Sequence, residues 1–216
     1  MFWNRKPVSC GLDDSIPLST AIDNVTFTVF DTETTGFQVA TVDRPIEIAA
    51  VRMRGSSVLE TETFQMLINP GRPIPTRITE LTGITNEDTA LAANSQEALT
   101  SFFQFVEAGG THALVGHYIS FDLLVLKHEL ARHQQSFKKP LAIDTFDLIG
   151  YLTPSWDMRD LERYAMAFGT RIYDRHRALG DSLTTAYLFQ ELLQQCQTRG
   201  ITTWGDLLTI VKRPSN

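Results

Sequence analysis

The feature that most constrains the fold is a run of β-branched and aromatic residues, Val25–Phe30, that leads directly into two carboxylates, Asp31 and Glu33. Such a run is typical of a buried strand. Side chains at positions i and i+2 of a strand project from the same face. Asp31 and Glu33 are therefore expected to face the same site.

The remaining pattern predicts a mixed sheet with helices. Two further strands are predicted at residues 46–51 and 60–68, so that the first three strands form a meander, and short strands at 113–116 and 141–143 then alternate with helices. Prolines and glycines predict irregular structure with short helical pieces over residues 70–94. The longer helices are predicted at residues 96–107, 121–133, 145–151, 158–167, 181–198 and 203–211. This order favours an α/β fold, a mixed β-sheet flanked by helices.

The chain length favours a single domain, since 216 residues supply one substantial core. Residues 1–24 carry only scattered apolar positions and are predicted to be an N-terminal extension, lying on the domain or partly disordered. Residues 25–200 are predicted to form the main domain, and residues 201–216 are predicted to be a C-terminal helix and tail.

Composition excludes some classes of function. The formal charge of -6 and the pI near 5.3 argue against a protein that binds long duplexes by neutralising their phosphates. An enzyme that binds only the end of a strand is compatible with this charge. Cys10 and Cys196 match no metal or redox spacing and are expected to be unpaired thiols. No apolar stretch approaches the length of a membrane span, so we expect a cytoplasmic protein without membrane contact.

Two further clusters contain acidic and histidine residues. Asp122 closes the segment that begins at His117, and Asp181 closes the segment that begins at His176. Four carboxylates from separate segments suit a pair of hard divalent cations, Mg²⁺ or Mn²⁺. Histidine is the side chain that exchanges a proton most readily near neutral pH, so His176 is suited to accept a proton from water. Together the clusters predict metal-dependent cleavage of a phosphodiester.

Each cluster has a simpler interpretation when taken alone. Residues 31–36 resemble a polar loop after a strand, and Asp122 resembles an ordinary aspartate at a helix start. The sequence does not support a hydrolase with a serine nucleophile, because it holds no Gly-x-Ser-x-Gly elbow. It also holds no P-loop, which argues against a P-loop nucleotide-binding protein.

In their order along the chain, the clusters and the landmarks between them resemble the DEDDh-type 3′-to-5′ exonucleases of the ribonuclease H-like superfamily. This group includes the epsilon proofreading subunit of bacterial DNA polymerase III and RNase T. The resemblance extends from Val25 to Leu193. The landmarks are Arg44–Val51, Ile68–Pro70, Leu81–Glu87 and Asp144–Thr145.

The resemblance implies a ribonuclease H-like exonuclease domain over residues 25–200, with two Mg²⁺ or Mn²⁺ ions as cofactors. It implies that His176 is the general base. The implied metal ligands are Asp31, Glu33, Asp122 and Asp181.

The resemblance also implies contacts to the terminal nucleotide from Thr34, Leu81 and Phe121, with Leu81 as an apolar wedge and Phe121 beneath the sugar or base. A core role explains Leu81 and Phe121 equally well. Tyr118 stands where many relatives carry asparagine, which bears on substrate preference because a tyrosine stacks on a base. His117 is a weaker candidate for a phosphate contact.

Three functions are therefore compared. The first is a 3′-to-5′ exonuclease that releases nucleoside 5′-monophosphates from single-stranded or frayed 3′ ends of DNA, with a polymerase or repair partner. The second is an RNA 3′-end trimming enzyme. The third is a non-catalytic interaction subunit, against which the intact, mutually repelling carboxylates argue. Residues 1–24 and 203–211 are the expected places for a docking surface.

Overall fold

The computed structural model describes residues 6–211, which form seven strands and eight α-helices. The strands are β1 (Lys6–Val8), β2 (Thr26–Thr34), β3 (Pro45–Arg54), β4 (Ser57–Leu67), β5 (Ala113–Gly116), β6 (Gln135–Phe137) and β7 (Ala142–Asp144). The helices are α1 (Thr76–Thr82), α2 (Asn86–Ala90), α3 (Ser95–Ala108), α4 (Ile119–Arg132), α5 (Thr145–Leu152), α6 (Leu161–Phe168), α7 (Ala178–Thr198) and α8 (Trp204–Val211). A short 3₁₀ turn, Ile22–Asn24, precedes β2.

The predicted mixed sheet is confirmed. Five strands lie in the order β4-β3-β2-β5-β7, with antiparallel pairing among β2, β3 and β4 and parallel pairing from β2 through β5 to β7. A turn at Gly55 and Ser56 joins β3 to β4. The meander thus supplies one half of the sheet, and the strands that alternate with helices supply the other half.

Alternation along β2 directs its side chains into two cores. Phe27 and Val29 lie in a cluster built with α5, α7 and α8, whereas Phe30 lies in a cluster built with α3 and α4. Phe27 contacts Phe189 of α7 edge-to-face, with ring centroids 5.2 Å apart. Because alternate strand residues share a face, odd-numbered positions of β2 point toward α7 and even-numbered positions toward α4.

The terminal segments pack onto these same cores. Cys10 is buried in the α3 and α4 cluster, and β1 pairs with β6 as a small parallel sheet. The prediction missed both strands, which are three residues long and lie far apart in sequence. Trp204 of α8 is buried against Phe27, so the inward face of α8 is not a free docking surface. The division of the chain at residues 24 and 200 stays a prediction, and residues 1–5 and 212–216 lie outside the described residues.

Three helices begin two or three residues away from their predicted starts. Helix α4 begins at Ile119 and α7 at Ala178, earlier than the predicted residues 121 and 181. Helix α6 begins at Leu161 rather than 158, because the Asp160 side chain accepts a hydrogen bond from the Arg163 N–H and caps the helix there. Within residues 6–211, none of the helices combines the length and apolar character that crossing a membrane requires.

Replacement of Trp204 tests whether the C-terminal helix contributes to the core. Trp204→Ala is expected to lower the free energy of unfolding by about 3–5 kcal/mol, because it removes a large buried ring and leaves a cavity. Urea denaturation followed by circular dichroism measures this change. Leu91→Ala, at a fully exposed side chain, is the control and should leave stability unchanged. A loss below about 1 kcal/mol for Trp204→Ala would contradict the packing of α8.

Candidate functional site

Three of the predicted metal ligands come together at the end of β2. Asp31 and Glu33 occupy odd-numbered positions and therefore face α7, whose first turn contains Asp181. One carboxylate oxygen from each of these three residues lies within 4.8 Å of the others. Ser182 fixes this end of α7 against the sheet, since its hydroxyl donates to the Ala49 carbonyl of β3 at 3.1 Å.

Asp122 reaches the same strand end from the opposite face. Its Oδ1 accepts hydrogen bonds from the Thr32 N–H at 3.0 Å and the Thr32 hydroxyl at 2.6 Å. Asp122 can approach Thr32 because β5 pairs with β2 only from Phe27 to Val29, so the end of β2 extends beyond its neighbouring strand. Asp122 does not belong to the 4.8 Å group but lies close enough to raise the pKa of Asp31, after the larger effect of burial.

A carboxylate from a neighbouring strand fixes the helix that carries Asp122. The two oxygens of Asp144, at the end of β7, accept the N–H groups of Tyr118 and Ile119 at 3.1 Å each. These backbone donors have no partner inside the helix, so an external acceptor stabilises the helix start. Asp144 was a landmark of the resemblance, and in the structure it sets where α4 begins.

The electrostatics of the acidic cluster make it a candidate cation site. Burial, together with the neighbouring carboxylates, raises the pKa of Glu33 to about 8 and that of Asp31 well above its ordinary value. Burial also raises the pKa of Asp122 to about 7 and raises that of Asp181, although Arg175, which donates to an Asp181 oxygen, opposes the latter shift. Clustered acids that resist ionisation gain most from a bound cation, so Mg²⁺ or Mn²⁺ fits this donor set.

His176 lies beside the cluster, in the segment before α7. Its N–H donates to Asp181 Oδ2 at 3.2 Å, which ties the histidine to one of the candidate ligands. The backbone of His176 has a φ of 60°, in the left-handed region that residues other than glycine rarely adopt. Such a conformation persists only when the surrounding contacts hold it.

The three residues implied to hold a nucleotide have different surroundings in the structure, and their contact with a nucleotide stays a prediction. Thr34 is buried, and its hydroxyl donates to the Gly36 carbonyl at 2.7 Å. Leu81 is half exposed, which does not support a core role for it. Phe121 contacts Phe37 edge-to-face, with centroids 5.7 Å apart. Sequence reasoning missed Phe37, although its signal was an aromatic residue directly after the small Thr-Thr-Gly turn, and 83% of its surface is exposed.

Two neighbours of the second cluster point in different directions. His117 is largely buried, its Nδ1 bonds the Thr145 hydroxyl at 2.7 Å, and its ring packs on Phe146. Burial lowers the pKa of His117 to about 4, so it is neutral at physiological pH and a poor phosphate ligand. Tyr118 instead projects outward with 62% of its surface exposed.

Comparison with known proteins assigns the family. Residues 28–189 match the RNase_T family model, described as exonuclease. The chain is 36% identical over 202 residues to a DNA polymerase III subunit epsilon-like protein of Rhodobacter capsulatus, covering 93% of this chain and 28% of that protein. It is 35% identical to DNA polymerase III subunit epsilon of Aquifex aeolicus, covering 79% of this chain and 81% of that one. The chain thus spans less than a third of the Rhodobacter relative.

Solved structures share the fold. Exonuclease X, solved with 5′ overhanging duplex DNA, superposes with a TM-score of 0.62 at 21% identity, covering 86% of this chain and 99% of that one. Escherichia coli exonuclease I, solved with a dA16 oligonucleotide, gives a TM-score of 0.64 at 23% identity, covering 86% of this chain and 43% of that one.

The fold and the acidic cluster at the end of its central strand define a nuclease. The chain belongs to the exonuclease family, as the match over residues 28–189 and the similarity to the Aquifex aeolicus epsilon subunit show.

The acidic cluster predicts how stability depends on pH and on metal. Without metal, the folded-state pKa values of Glu33 and Asp122, about 8 and about 7, exceed the ordinary values of 4.5 and 3.8. The folded state therefore binds more protons in this window, and stability should fall as pH rises from about 4 to about 8. Mn²⁺ should accordingly raise the melting temperature more at about pH 8 than at about pH 5.5.

Thermal melts of Asp31→Asn and of the control Glu80→Gln check this expectation. Asp31→Asn removes one repelling carboxylate, so both the pH-dependent loss and the rescue by Mn²⁺ should shrink. Glu80 is exposed and lies outside the cluster, so Glu80→Gln should behave like the parent protein. Equal stabilisation by Mn²⁺ at both pH values would contradict the site.

Proposed function

We propose that this chain is a two-metal-ion 3′-to-5′ exonuclease that removes nucleoside 5′-monophosphates from single-stranded or frayed 3′ ends of DNA. The observation that carries the proposal is the meeting of Asp31, Glu33 and Asp181 within 4.8 Å, beside His176. Asp122, bonded to Thr32 between the two acids of β2, supplies the fourth carboxylate.

The chain's own residues divide the chemistry among them. The four carboxylates would hold Mg²⁺ or Mn²⁺ ions, which supply Lewis acidity for phosphoryl chemistry when bound. His176 accepts the proton of the attacking water as the water oxygen bonds to phosphorus. The bond from phosphorus to the 3′ oxygen of the preceding nucleotide breaks, and that oxygen takes a proton from a solvent water molecule. The products are a 5′-monophosphate and a strand shortened by one nucleotide with a new 3′ hydroxyl.

The residues that we propose to contact the nucleotide suit a single strand end. Phe37 and Phe121 form an aromatic pair whose outer ring is exposed, and every base offers a face that stacks on such rings. Leu81, half exposed on α1, presents an apolar edge to separate neighbouring bases. The net charge of -6 agrees with binding of only a strand end rather than with an extended interface along a duplex.

A polymerase or repair partner belongs to the same proposal. Its support is the names of the relatives, DNA polymerase III epsilon and epsilon-like proteins. Because the inward face of α8 lies in the core, deletion of that helix would disrupt folding as well as any interface. Exchange of exposed residues is therefore the sounder way to search for the docking surface.

A 5′-labelled single-stranded DNA with Mg²⁺ tests the activity. The parent protein should shorten it one nucleotide at a time, and Asp31→Asn should abolish the ladder. His176→Ala should lower kcat by roughly 10²- to 10⁴-fold, the usual contribution of a general base. His128→Ala, on the far part of α4, is the matched control and should act like the parent. An inactive parent, or full activity in His176→Ala, would refute the proposal.

The preference for DNA predicts an effect of the terminal 2′ hydroxyl. A single terminal ribonucleotide should lower kcat/KM roughly tenfold, because a hydroxyl against the aromatic pair loses its hydrogen bonds to water. A terminal 2′-fluoro nucleotide, which has no such donor, should behave like DNA, and Phe121→Ala should reduce the difference. Faster cleavage of the ribonucleotide end would instead identify an RNA-trimming enzyme.

A further inference from the structure

The backbone around His176 is held from several sides. Its φ of 60° lies in a strained region of the backbone map, and neighbouring contacts must offset that strain. Upstream, the Tyr173 N–H donates to the Thr184 hydroxyl of α7 at 3.0 Å. The Asp174 carbonyl lies so close to Gly180 that a Cβ there would stand 1.9 Å from the oxygen. The segment before His176 is thus packed tightly on the first turns of α7.

Downstream of His176, a buried glutamate holds the backbone by hydrogen bonds. Glu47 of β3 is completely buried, and its carboxylate accepts two hydrogen bonds from the Arg177 guanidinium, from Nη2 at 2.8 Å and from Nε at 3.2 Å. The same carboxylate accepts the Ala178 N–H at 2.9 Å and the Gln65 side-chain amide at 2.8 Å. Three of its four bonds therefore come from the two residues directly after His176.

This arrangement replaces the usual helix cap. Arg177, the N-cap residue of α7, offers no side-chain cap of its own, and Glu47 instead accepts the first free N–H of the helix. The Arg177 guanidinium matches the carboxylate in the two-point geometry that fixes orientation as well as distance. Glu47 therefore binds the start of α7 to the sheet. His176, the residue directly before Arg177, is held in place with it.

We propose that Glu47 and Arg177 are positioning residues that fix the direction in which His176 faces the acidic cluster. The proposal rests on the proposed function, because it gives His176 the role of base. Neither residue touches the reacting atoms. Displacement of a general base by about 1 Å is sufficient to cost roughly 10²-fold in rate.

A competing explanation acts through the metal site instead. Glu47 lies directly opposite Glu33 in the pairing of β2 with β3, so the two side chains share a face. Removal of Arg177 would then leave the Glu47 charge free to disturb the candidate ligand Glu33. This explanation predicts a change in metal affinity, whereas the positioning role predicts none.

A double-mutant cycle separates the two explanations. Glu47→Gln and Arg177→Ala should each lower kcat roughly 10- to 100-fold. KM and the Mn²⁺ dissociation constant, measured by titration calorimetry, should stay within about twofold of the parent. Glu47→Gln combined with His176→Ala should be no slower than His176→Ala alone, because both changes remove the same function. Arg177→Lys should keep part of the activity, since it retains the charge without the two-point contact.

Arg171→Ala is the matched control, because Arg171 also pairs with a glutamate of the sheet, Glu60 of β4, at 3.0 Å but on the exposed surface. It should leave kcat unchanged. Additive losses in the cycle, or weakened Mn²⁺ binding in Arg177→Ala, would overturn the positioning role. Parent-like activity of His176→Ala would overturn the proposed function and this inference together, whereas slow His176→Ala beside parent-like Glu47→Gln and Arg177→Ala would overturn this inference alone.

Discussion

Mutual repulsion among buried carboxylates at the end of β2 is the constraint on which the rest of the structure depends. Burial and neighbouring charge raise the pKa values of Asp31, Glu33 and Asp122. A fold that gathers such groups must hold them by contacts that do not relax when they repel. Helices α4 and α7 meet this need, because each is packed on one face of the sheet and presents an acid in its first turn.

The geometry of β2 explains why the cluster forms at this place. The strand is nine residues long, and β5 pairs with it only from Phe27 to Val29. Beyond that pairing, the Thr32 N–H is available to Asp122, while Asp31 and Glu33 turn to the opposite face. A strand that extends past its neighbour therefore offers both faces and one open edge to side chains from other segments.

Much of this site was predictable from the sequence. The β-branched and aromatic run Val25–Phe30 indicated a buried strand, and the spacing of Asp31 and Glu33 placed them on one face. The starts of α4 and α7 were not predictable, because their caps come from Asp144 and Glu47, 25 and 131 residues away from the N–H groups that they accept. Local capping signals cannot reveal an acceptor on a distant strand. The position of Phe37 beside Phe121 was not predictable for a related reason, since their contact depends on the assembled fold.

The remote caps of α4 and α7 link the site to the order of folding. Neither helix start is satisfied by its own sequence, so both become stable at Ile119 and Ala178 only after β7 and β3 have joined the sheet. Contacts between segments far apart in the chain form late, because they require the closure of long loops. Without β3 and β7 in the sheet, the helices that carry Asp122 and Asp181 lack their anchors, so the acidic cleft is complete only in the fully folded protein.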